Sequence, residues 1–287
     1  METLLTSRLS VLSHPQRMGV FRLLMRRYPD HLPAGEISEA LDTKPSTTSV
    51  YLSALTGAGL LDQKRAGTSL LYRINMEAAQ AVVSDLFLDC CKGRPNLCPP
   101  FVAHIQGASD ANGRAQSAAQ EQRKYNVLFL CTGNSARSIF AESILRDMAG
   151  DRFNAFSAGT KPYSELNPQA VALLREKGIE TGTLRAKHMA EFQAKDASHM
   201  DFVFTVCDRA ANEDCPAWSG QPISAHWGQP DPVKVEGEPA EQALAFQQAY
   251  GMLRNRITAF AALPFPSLDR ISLQNHVDEI GSAKSAV

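Results

Sequence analysis

The stretch that decides the fold of the larger part of this 287-residue chain is KYNVLFLCTGNSARSIFAESILRDMAG, residues 124–150. Residues 126–131 form an apolar run with the length of a buried strand. After a polar loop, apolar residues recur at helical spacing, at Ile139, Phe140, Ile144, Leu145 and Met148. The stretch therefore predicts a strand, then a loop over 131–137, then a helix.

The loop has the form Cys-x5-Arg, from Cys131 to Arg137. A loop of this size can wrap an oxyanion with its backbone N–H groups, and the following helix adds its positive N-terminal end. Arg137 offers a planar fork for two oxygens of a tetrahedral anion. This field is expected to lower the pKa of the Cys131 thiol.

We further expect Ser138 to donate a hydrogen bond to the thiolate, Asn134 to hold a left-handed bend, and Gly133 to let the backbone approach the anion. The predicted oxyanion-binding residues are Thr132, Gly133, Asn134, Ser135, Ala136, Arg137 and Ser138.

Two further motifs extend this region: FSAGTKPYSELNPQAVALLREKGIE at 156–180 and HWGQPDPV at 226–233. With them, residues 124–265 are similar to the low-molecular-weight protein tyrosine phosphatases and to the arsenate reductases built on the same fold. The resemblance implies an α/β domain with a parallel sheet. It also implies that Asp231 is the general acid that protonates the leaving oxygen. A plain Asp-Pro turn is the alternative interpretation of Asp231.

Two features favour the reductase over the phosphatase. Phosphatases of this fold place an aromatic residue beside the Asp-Pro pair, where this chain has Val233. A reductase needs two electrons, and Cys207 and Cys215 lie eight residues apart. Coincidence or a metal site are the alternatives for this pair, although no second pair of ligands is nearby. The family's loop often carries one more cysteine, at the position of Ala136.

The resemblance to three-cysteine arsenate reductases implies a cysteine thiol/disulfide relay. The implied catalytic residues are Cys131, Arg137, Asp231, Cys207 and Cys215. It implies no tightly bound cofactor, and either thioredoxin or glutathione/glutaredoxin as the external reductant.

The first part of the chain reads as short helices, a hydroxyl-rich helix and a basic hairpin. Pro15 suits the first position of a helix, and a second helix begins at Pro45 or Ser46. Two strands flank the basic turn at 64–68. This order predicts an α+β winged helix-turn-helix domain that binds DNA. The alternative is that the hydroxyls form a solvated face and that the basic tip is an ordinary turn.

The runs LSVLSHPQRMGVFRLLMRR (9–27) and GEISEALDTKPSTTSVYLSALTGAGLLDQKRAGTSLLYRIN (35–75) resemble the ArsR/SmtB family of metalloid-sensing repressors, over about residues 5–98. The resemblance implies a homodimer, formed through this domain, that leaves its operator DNA when an inducer binds. The residues implied to face bases are Ser46, Thr47, Thr48, Ser49 and Tyr51, and those implied to face phosphates are Lys64, Arg65 and Arg73.

The implied inducer site is the cysteine trio Cys90, Cys91 and Cys98 in DCCKGRPNLC. Three thiolates suit trivalent arsenic or antimony, so the expected inducer is arsenite or antimonite. The cysteine pair that this family often carries on its DNA-reading helix is absent here. The alternative is that Cys90 and Cys91 are core residues of a dimerisation helix.

Composition sets the remaining expectations. Residues 99–123 have the composition of a flexible linker, which gives domains over 1–98 and 124–287. A net charge of -1 argues against binding to nucleic acid by bulk charge alone. Six cysteines without an export signal predict reduced thiols and a cytoplasmic protein. No apolar run has the length of a membrane-spanning helix, so no membrane partner is expected.

Together these patterns predict an arsenite-responsive repressor fused to an arsenate reductase. Two alternatives remain at this point. The first is a low-molecular-weight tyrosine phosphatase fused to a transcriptional regulator. The second is a pure sensor whose second domain only binds an oxyanion.

Overall fold

A computed structural model describes residues 2–88, 123–194, 197–213, 218 and 221–283. The chain divides into two compact units, Met1–Gln122 and Arg123–Val287. The predicted linker lies outside the described residues except for Arg123, which forms a two-point ion pair with Asp201 of the second unit (2.6 and 3.1 Å). The predicted sensor cysteines Cys90, Cys91 and Cys98 and the third relay cysteine Cys215 also lie outside the described residues.

The first unit is a winged helix, as the sequence predicts. Its elements are α1 (Glu2–Leu12), α2 (Pro15–Arg26), β1 (Leu32–Pro33), α3 (Ala34–Ala40), α4 (Pro45–Gly57), β2 (Leu61–Ala66), β3 (Ser69–Ile74) and α5 (Met76–Leu88). The strands form an antiparallel sheet in the order β1-β3-β2. Gly67, at a φ of 60°, supplies the left-handed residue in the tight turn between β2 and β3.

One apolar core holds the first unit together. Leu23 and Leu24 of α2, Leu52 and Leu55 of α4, and Ile74 of β3 are fully buried in it. The packing fixes α4 against α3, to which a four-residue turn joins it, and this is the pairing of a helix-turn-helix. Helix α2 packs on α4 as well, and the helices also contact the hairpin.

The second unit is an α/β domain with a parallel sheet. Its elements are β4 (Tyr125–Cys131), α6 (Arg137–Ala149), β5 (Phe153–Gly159), α7 (Pro168–Glu176), β6 (Phe202–Thr205), α8 (Asp208–Asn212), β7 (Ile223–His226), α9 (Pro239–Ala261) and α10 (Arg270–Ser282). Short 3-10 turns lie at Met189–Phe192, Pro232–Lys234 and Phe265–Ser267.

The strand order places the site. The sheet runs β5-β4-β6-β7 with all strands parallel, so the chain leaves β4 toward one side and later enters β6 on the other side. Parallel sheets bind ligands at such a reversal, at the carboxyl ends of the strands. Cys131 is the last residue of β4, and Cys207 follows β6 by two residues. Both thiols therefore belong to the same edge of the sheet.

Aromatic packing fixes the helices on this sheet. Phe204 of β6 stacks on Trp227 with ring centroids 4.0 Å apart and an interplanar angle of 11°, and Phe260 of α9 packs edge-on against both. The Trp227 indole N–H donates to the Val277 carbonyl of α10 at 3.0 Å. Because Trp227 begins the segment that carries Asp231, the core anchors one side of the site.

Candidate functional site

The loop between β4 and α6 is oriented by the segment that follows β5. The carbonyls of Cys131, Thr132, Gly133 and Ser135 accept hydrogen bonds from the backbone N–H groups of residues 160, 161, 163 and 167, at 2.9 to 3.1 Å. These carbonyls therefore point out of the loop. Because the C=O and N–H of a trans peptide point in opposite directions, the N–H groups of the same peptide units point toward the inside of the loop. This is the arrangement that an oxyanion requires.

The Cys131 thiol is fixed by three neighbours. Its Sγ lies 2.9 Å from the Ser138 hydroxyl and accepts the backbone N–H of Asn134 at 3.0 Å. Asn134 has a φ of 44°, and its side-chain amide donates to the Ser138 hydroxyl at 2.9 Å. The predicted left-handed bend at Asn134 is confirmed, and the Ser138 hydroxyl lies within hydrogen-bond distance of the Cys131 sulfur.

The expected thiol acidity is wrong. Burial raises the pKa of the Cys131 thiol above its ordinary value, and the nearby Cys207 thiol raises this pKa further. The bonds from Ser138 and Asn134 and the charge of Arg137 act in the opposite direction without reversing the shift. The sequence shows the donors around the sulfur but not the depth of its burial, at 4% exposure. Without an anion, the thiol is therefore held protonated at neutral pH.

This raised pKa predicts how alkylation of Cys131 depends on pH. The rate with iodoacetamide should be low near neutrality and keep rising about tenfold per pH unit past about pH 8.5, where an ordinary thiol levels off. Mass spectrometry of the peptide that contains Cys131 measures the rate, and a free cysteine peptide is the control. A plateau reached below about pH 7 would contradict the raised pKa.

Arg137, the first residue of α6, binds the segment that carries Asp231. One guanidinium nitrogen, Nη2, donates to the Asp231 carboxylate at 2.7 Å, and Nη1 donates to the Gln229 carbonyl at 2.8 Å. The Asp231 carboxylate also accepts the N–H of Val233 at 3.3 Å, which caps the 3-10 turn after it. The structure thus brings Cys131, Arg137 and Asp231 to one site.

Cys207 lies on the neighbouring strand end. The β4–β6 register pairs Leu130 with Thr205, and the N–H of Val206 donates to the Leu130 carbonyl at 2.8 Å. The Cys207 Sγ lies 3.5 Å from the Thr132 hydroxyl of the loop and accepts the N–H of Ala210 at the start of α8. Both described cysteines are free thiols.

A buried polar chain supports the loop from behind. The Asn134 amide donates to the Ser157 hydroxyl at 2.8 Å, and Ser157 donates to the Glu142 carboxylate. Lys187 closes the chain, since its Nζ lies 3.0 Å from Glu142 and its backbone N–H donates to the Asn134 side chain at 2.7 Å. Asn134 is thereby connected to a buried ion pair.

A family model described as low molecular weight phosphotyrosine protein phosphatase matches residues 126–271. The chain belongs to this family. A second model, described as a helix-turn-helix domain, matches residues 12–64.

Curated relatives of this phosphatase-family chain include the arsenate reductase of Bacillus licheniformis, 37% identical over 139 residues, with 48% of this chain and 96% of the relative covered. The arsenate reductase of Bacillus subtilis is 33% identical over 135 residues, with 47% and 94% covered. The crystal structure of arsenate reductase from Archaeoglobus fulgidus is 23% identical, with 48% of this chain and 99% of that chain covered and a TM-score of 0.39.

Sequence reasoning about this phosphatase-family site missed the Glu142–Lys187 pair. A signal for Glu142 existed, because a charged residue on a helix face that is otherwise buried needs a partner. Lys187 has no such signal, since it lies 45 residues from Glu142 along the chain.

Breaking this pair predicts a loss of stability in the second unit. Lys187→Met removes the nearer of the two cations of the buried Glu142, at 3.0 Å, and leaves only Arg146 at 3.7 Å. This change costs about 3 kcal/mol in the free energy of unfolding. Both tryptophans, Trp218 and Trp227, belong to this unit, so tryptophan fluorescence in urea reports its unfolding alone. The double variant Glu142→Gln/Lys187→Met should recover most of the loss. Equal losses in the single and double variants would contradict this prediction.

Gly133 packs directly against an aromatic ring. A Cβ at this position would meet the Tyr163 ring at 2.5 Å, so a larger residue would have to displace the ring. Tyr163 is 63% exposed and its backbone N–H donates to the Gly133 carbonyl at 2.9 Å, which places an aromatic side chain beside the loop.

In the first unit, the structure corrects one of the predicted DNA contacts and gives another a protein partner. Thr48 is fully buried, with its hydroxyl 2.7 Å from that of Thr43, so the expected exposure of Thr48 is wrong. Leu52 and Leu55 follow Thr48 by four and seven residues, so the three side chains share one face of α4, and that face is buried. Arg73 forms an ion pair with Asp62 at 2.9 Å, which occupies part of its guanidinium.

The other predicted contacts lie at the surface. Ser46 and Ser49 of α4 and Lys64 and Arg65 of the wing are exposed, while Thr47 is partly buried. The Tyr51 hydroxyl donates to the side chain of Gln16 in α2.

Within the described residues, no three His, Cys, Asp or Glu side chains are grouped so as to hold a metal ion. In the same part of the chain, no helix has the length and apolar character needed to cross a membrane.

Proposed function

We propose that the second unit reduces arsenate to arsenite through a cysteine thiol/disulfide relay. The observation that carries this proposal is the placement of a second thiol beside the anion loop, with Cys207 Sγ 3.5 Å from the Thr132 hydroxyl. Hydrolysis of a phosphate ester needs one thiol, whereas reduction needs a second thiol to release the product. The arsenate reductases among the relatives support the same activity.

The first step forms a bond between Cys131 and arsenic. Arsenate enters the loop, where the inward N–H groups and Arg137 hold its oxygens. The anion takes the proton of the Cys131 thiol, and the thiolate attacks As(V). Asp231 protonates the departing oxygen, which leaves as water. An anion on Arg137 also competes with the Arg137–Asp231 ion pair, which leaves the carboxylate free to take up a proton from solvent and pass it to the departing oxygen.

The second step moves two electrons to arsenic. The Cys207 thiolate attacks Cys131 Sγ, a disulfide forms between them, and the electron pair of the broken S–As bond leaves with arsenite. Cys215 then attacks Cys207, which transfers the disulfide to Cys207–Cys215 and restores Cys131. An external thiol reductant supplies the two electrons that reduce that disulfide, either the dithiol of thioredoxin or two molecules of glutathione with glutaredoxin. The protein needs no tightly bound cofactor for this cycle.

Phosphatase activity is the second candidate, and Tyr163 favours it. Its exposed ring beside Gly133 offers an aromatic surface at the loop, the feature that Val233 does not supply after the Asp-Pro pair. Aryl phosphate hydrolysis would use Cys131, Arg137 and Asp231 and would not need Cys207, so a Cys207 variant separates the two activities.

For the first unit we propose a homodimeric repressor that binds operator DNA and is released by arsenite, or by antimonite, bound to Cys90, Cys91 and Cys98. The helix-turn-helix match and the exposed serines of α4 support the DNA-binding part of the proposal. Arsenate lacks affinity for soft thiolates, whereas arsenite has it. The second unit would therefore produce the inducer of the first.

The wing gives a prediction for DNA binding. Lys64→Gln and Arg65→Gln should each weaken binding about equally on all DNA sequences and reduce the slope of log affinity against log salt by about 1. Arg73→Gln is the control, with a smaller effect because Asp62 already pairs with Arg73. Fluorescence anisotropy at several salt concentrations measures the slope. Unchanged slopes in both variants would exclude the wing from phosphate contact.

The same assay tests the inducer. Arsenite should release the wild-type complex, whereas arsenate without a reductant should not. Release that persists after Cys90, Cys91 and Cys98 are all replaced by serine would refute the proposed inducer site.

A further inference from the structure

The side chain of Gln229 is buried without a hydrogen-bond partner. Only 5% of the residue is exposed, and neither its Nε2 nor its Oε1 is hydrogen-bonded within the described part of the chain. A buried carboxamide that bonds to nothing lowers stability, and such groups are rare in folded proteins. The unpaired carboxamide of Gln229 therefore points to a ligand that binds beside it.

The backbone around Gln229 is well fixed, so a loosely packed loop does not explain the unpaired carboxamide. Arg256 donates through Nη1 to the carbonyls of Trp227 and Gly228, at 2.8 and 3.1 Å. Arg137 donates to the carbonyl of Gln229 itself at 2.8 Å. Three consecutive carbonyls are thus fixed by two arginines, and Trp227 is fully buried.

The position of Gln229 links it to the anion site. Gln229 and Asp231 each precede a proline, which restricts both to extended backbone. The Asp231 carboxylate and the Gln229 backbone carbonyl contact the same Arg137 guanidinium, at 2.7 and 2.8 Å. The buried Gln229 carboxamide therefore belongs to the short segment that binds the anion-binding arginine.

We propose that the Gln229 carboxamide is a specificity-determining contact to the bound oxyanion, an inference that rests on the proposed arsenate site. Its NH2 group donates to one anion oxygen, and its Oε1 accepts from an oxygen that carries a proton. Inorganic arsenate and phosphate carry such a hydroxyl at neutral pH, whereas the dianion of a phosphate ester has none. Gln229 therefore favours the inorganic oxyanion over an ester, because an ester leaves Oε1 buried and unpaired.

Calorimetric titration of the full-length protein with inorganic phosphate and with phenyl phosphate tests this inference without requiring turnover. Gln229→Met keeps the side-chain length and removes both polar atoms. It should weaken phosphate binding about 10-fold and phenyl phosphate binding much less. Its melting temperature without anion should equal or exceed that of the wild type, because an unpaired buried amide is gone. Gln193→Met is the matched control, since Gln193 Nε2 is also buried and unpaired but belongs to the turn after Met189–Phe192.

The outcomes separate this inference from the proposed function. If the wild type binds phosphate and Gln229→Met binds both ligands equally well, Gln229 has only a structural role and the inference is overturned. Gln229→Glu covers the case in which the methionine variant fails to fold, since its carboxylate should repel phosphate by more than about 10-fold. Equal binding by that variant also overturns the inference. If the wild type itself binds no phosphate, the anion site fails and the inference falls with it.

Discussion

Cys207→Ser is expected to abolish the release of arsenite from arsenate, with a loss of about 10³-fold or more. Serine cannot form the disulfide that breaks the S–As bond, so the reaction should stop once Cys131 has bound arsenic. The loop and its anion contacts do not include the Cys207 side chain apart from its 3.5 Å approach to Thr132, so phosphate should still bind. Arsenite released over time, measured with thioredoxin and thioredoxin reductase, gives the rate.

Hydrolysis of p-nitrophenyl phosphate provides the control for this variant. Any such activity should survive in Cys207→Ser and disappear in Cys131→Ser, because it needs only the first thiol. Arsenate reduction that continues in Cys207→Ser would show that the relay does not pass through this residue. Ester hydrolysis as the sole activity of the wild type would favour the phosphatase.

Arg137→Lys is expected to lower kcat/KM for arsenate by about 10²–10³-fold. The guanidinium binds two partners at once, the Asp231 carboxylate and the Gln229 carbonyl, at 2.7 and 2.8 Å. A lysine ammonium keeps the charge but cannot present two parallel N–H groups to a tetrahedral anion. The loss should therefore exceed what a change in charge alone would cause.

Arg146→Lys is the matched control for Arg137→Lys. Arg146 lies on the same helix, where it contacts the Thr183 hydroxyl and the Glu180 carbonyl at the surface. Its charge also lies 3.7 Å from the Glu142 carboxylate, and a lysine keeps that charge. Its replacement should change kcat/KM by less than about twofold. A fall of similar size in both variants would indicate damage to α6 and not loss of an oxyanion contact.

The local part of the site follows directly from the sequence. The strand over 125–131, the loop and the helix from Arg137 all lie where hydrophobic periodicity predicts them. The Ser138 bond to the thiol and the left-handed Asn134 are properties of a few neighbouring residues, so local chemistry is sufficient to predict both.

The parts that sequence reasoning missed depend on distant chain segments. The pKa of Cys131 is raised by burial, which the whole sheet and its helices produce. Lys187 reaches Glu142 across 45 residues, and Tyr163 covers Gly133 from the segment after β5. Thr48 is a different case, because its helical spacing to Leu52 could have placed it on the buried face.

The central claim is that Cys131 reduces arsenate and that a second thiol releases the product. The most direct test is arsenite release from arsenate by the purified full-length protein, with thioredoxin/thioredoxin reductase and separately with glutathione/glutaredoxin. Sustained turnover with one donor, abolished in Cys131→Ser, is the predicted result and identifies the reductant. No turnover with either donor, from a protein that still binds phosphate and unfolds cooperatively, would contradict the claim.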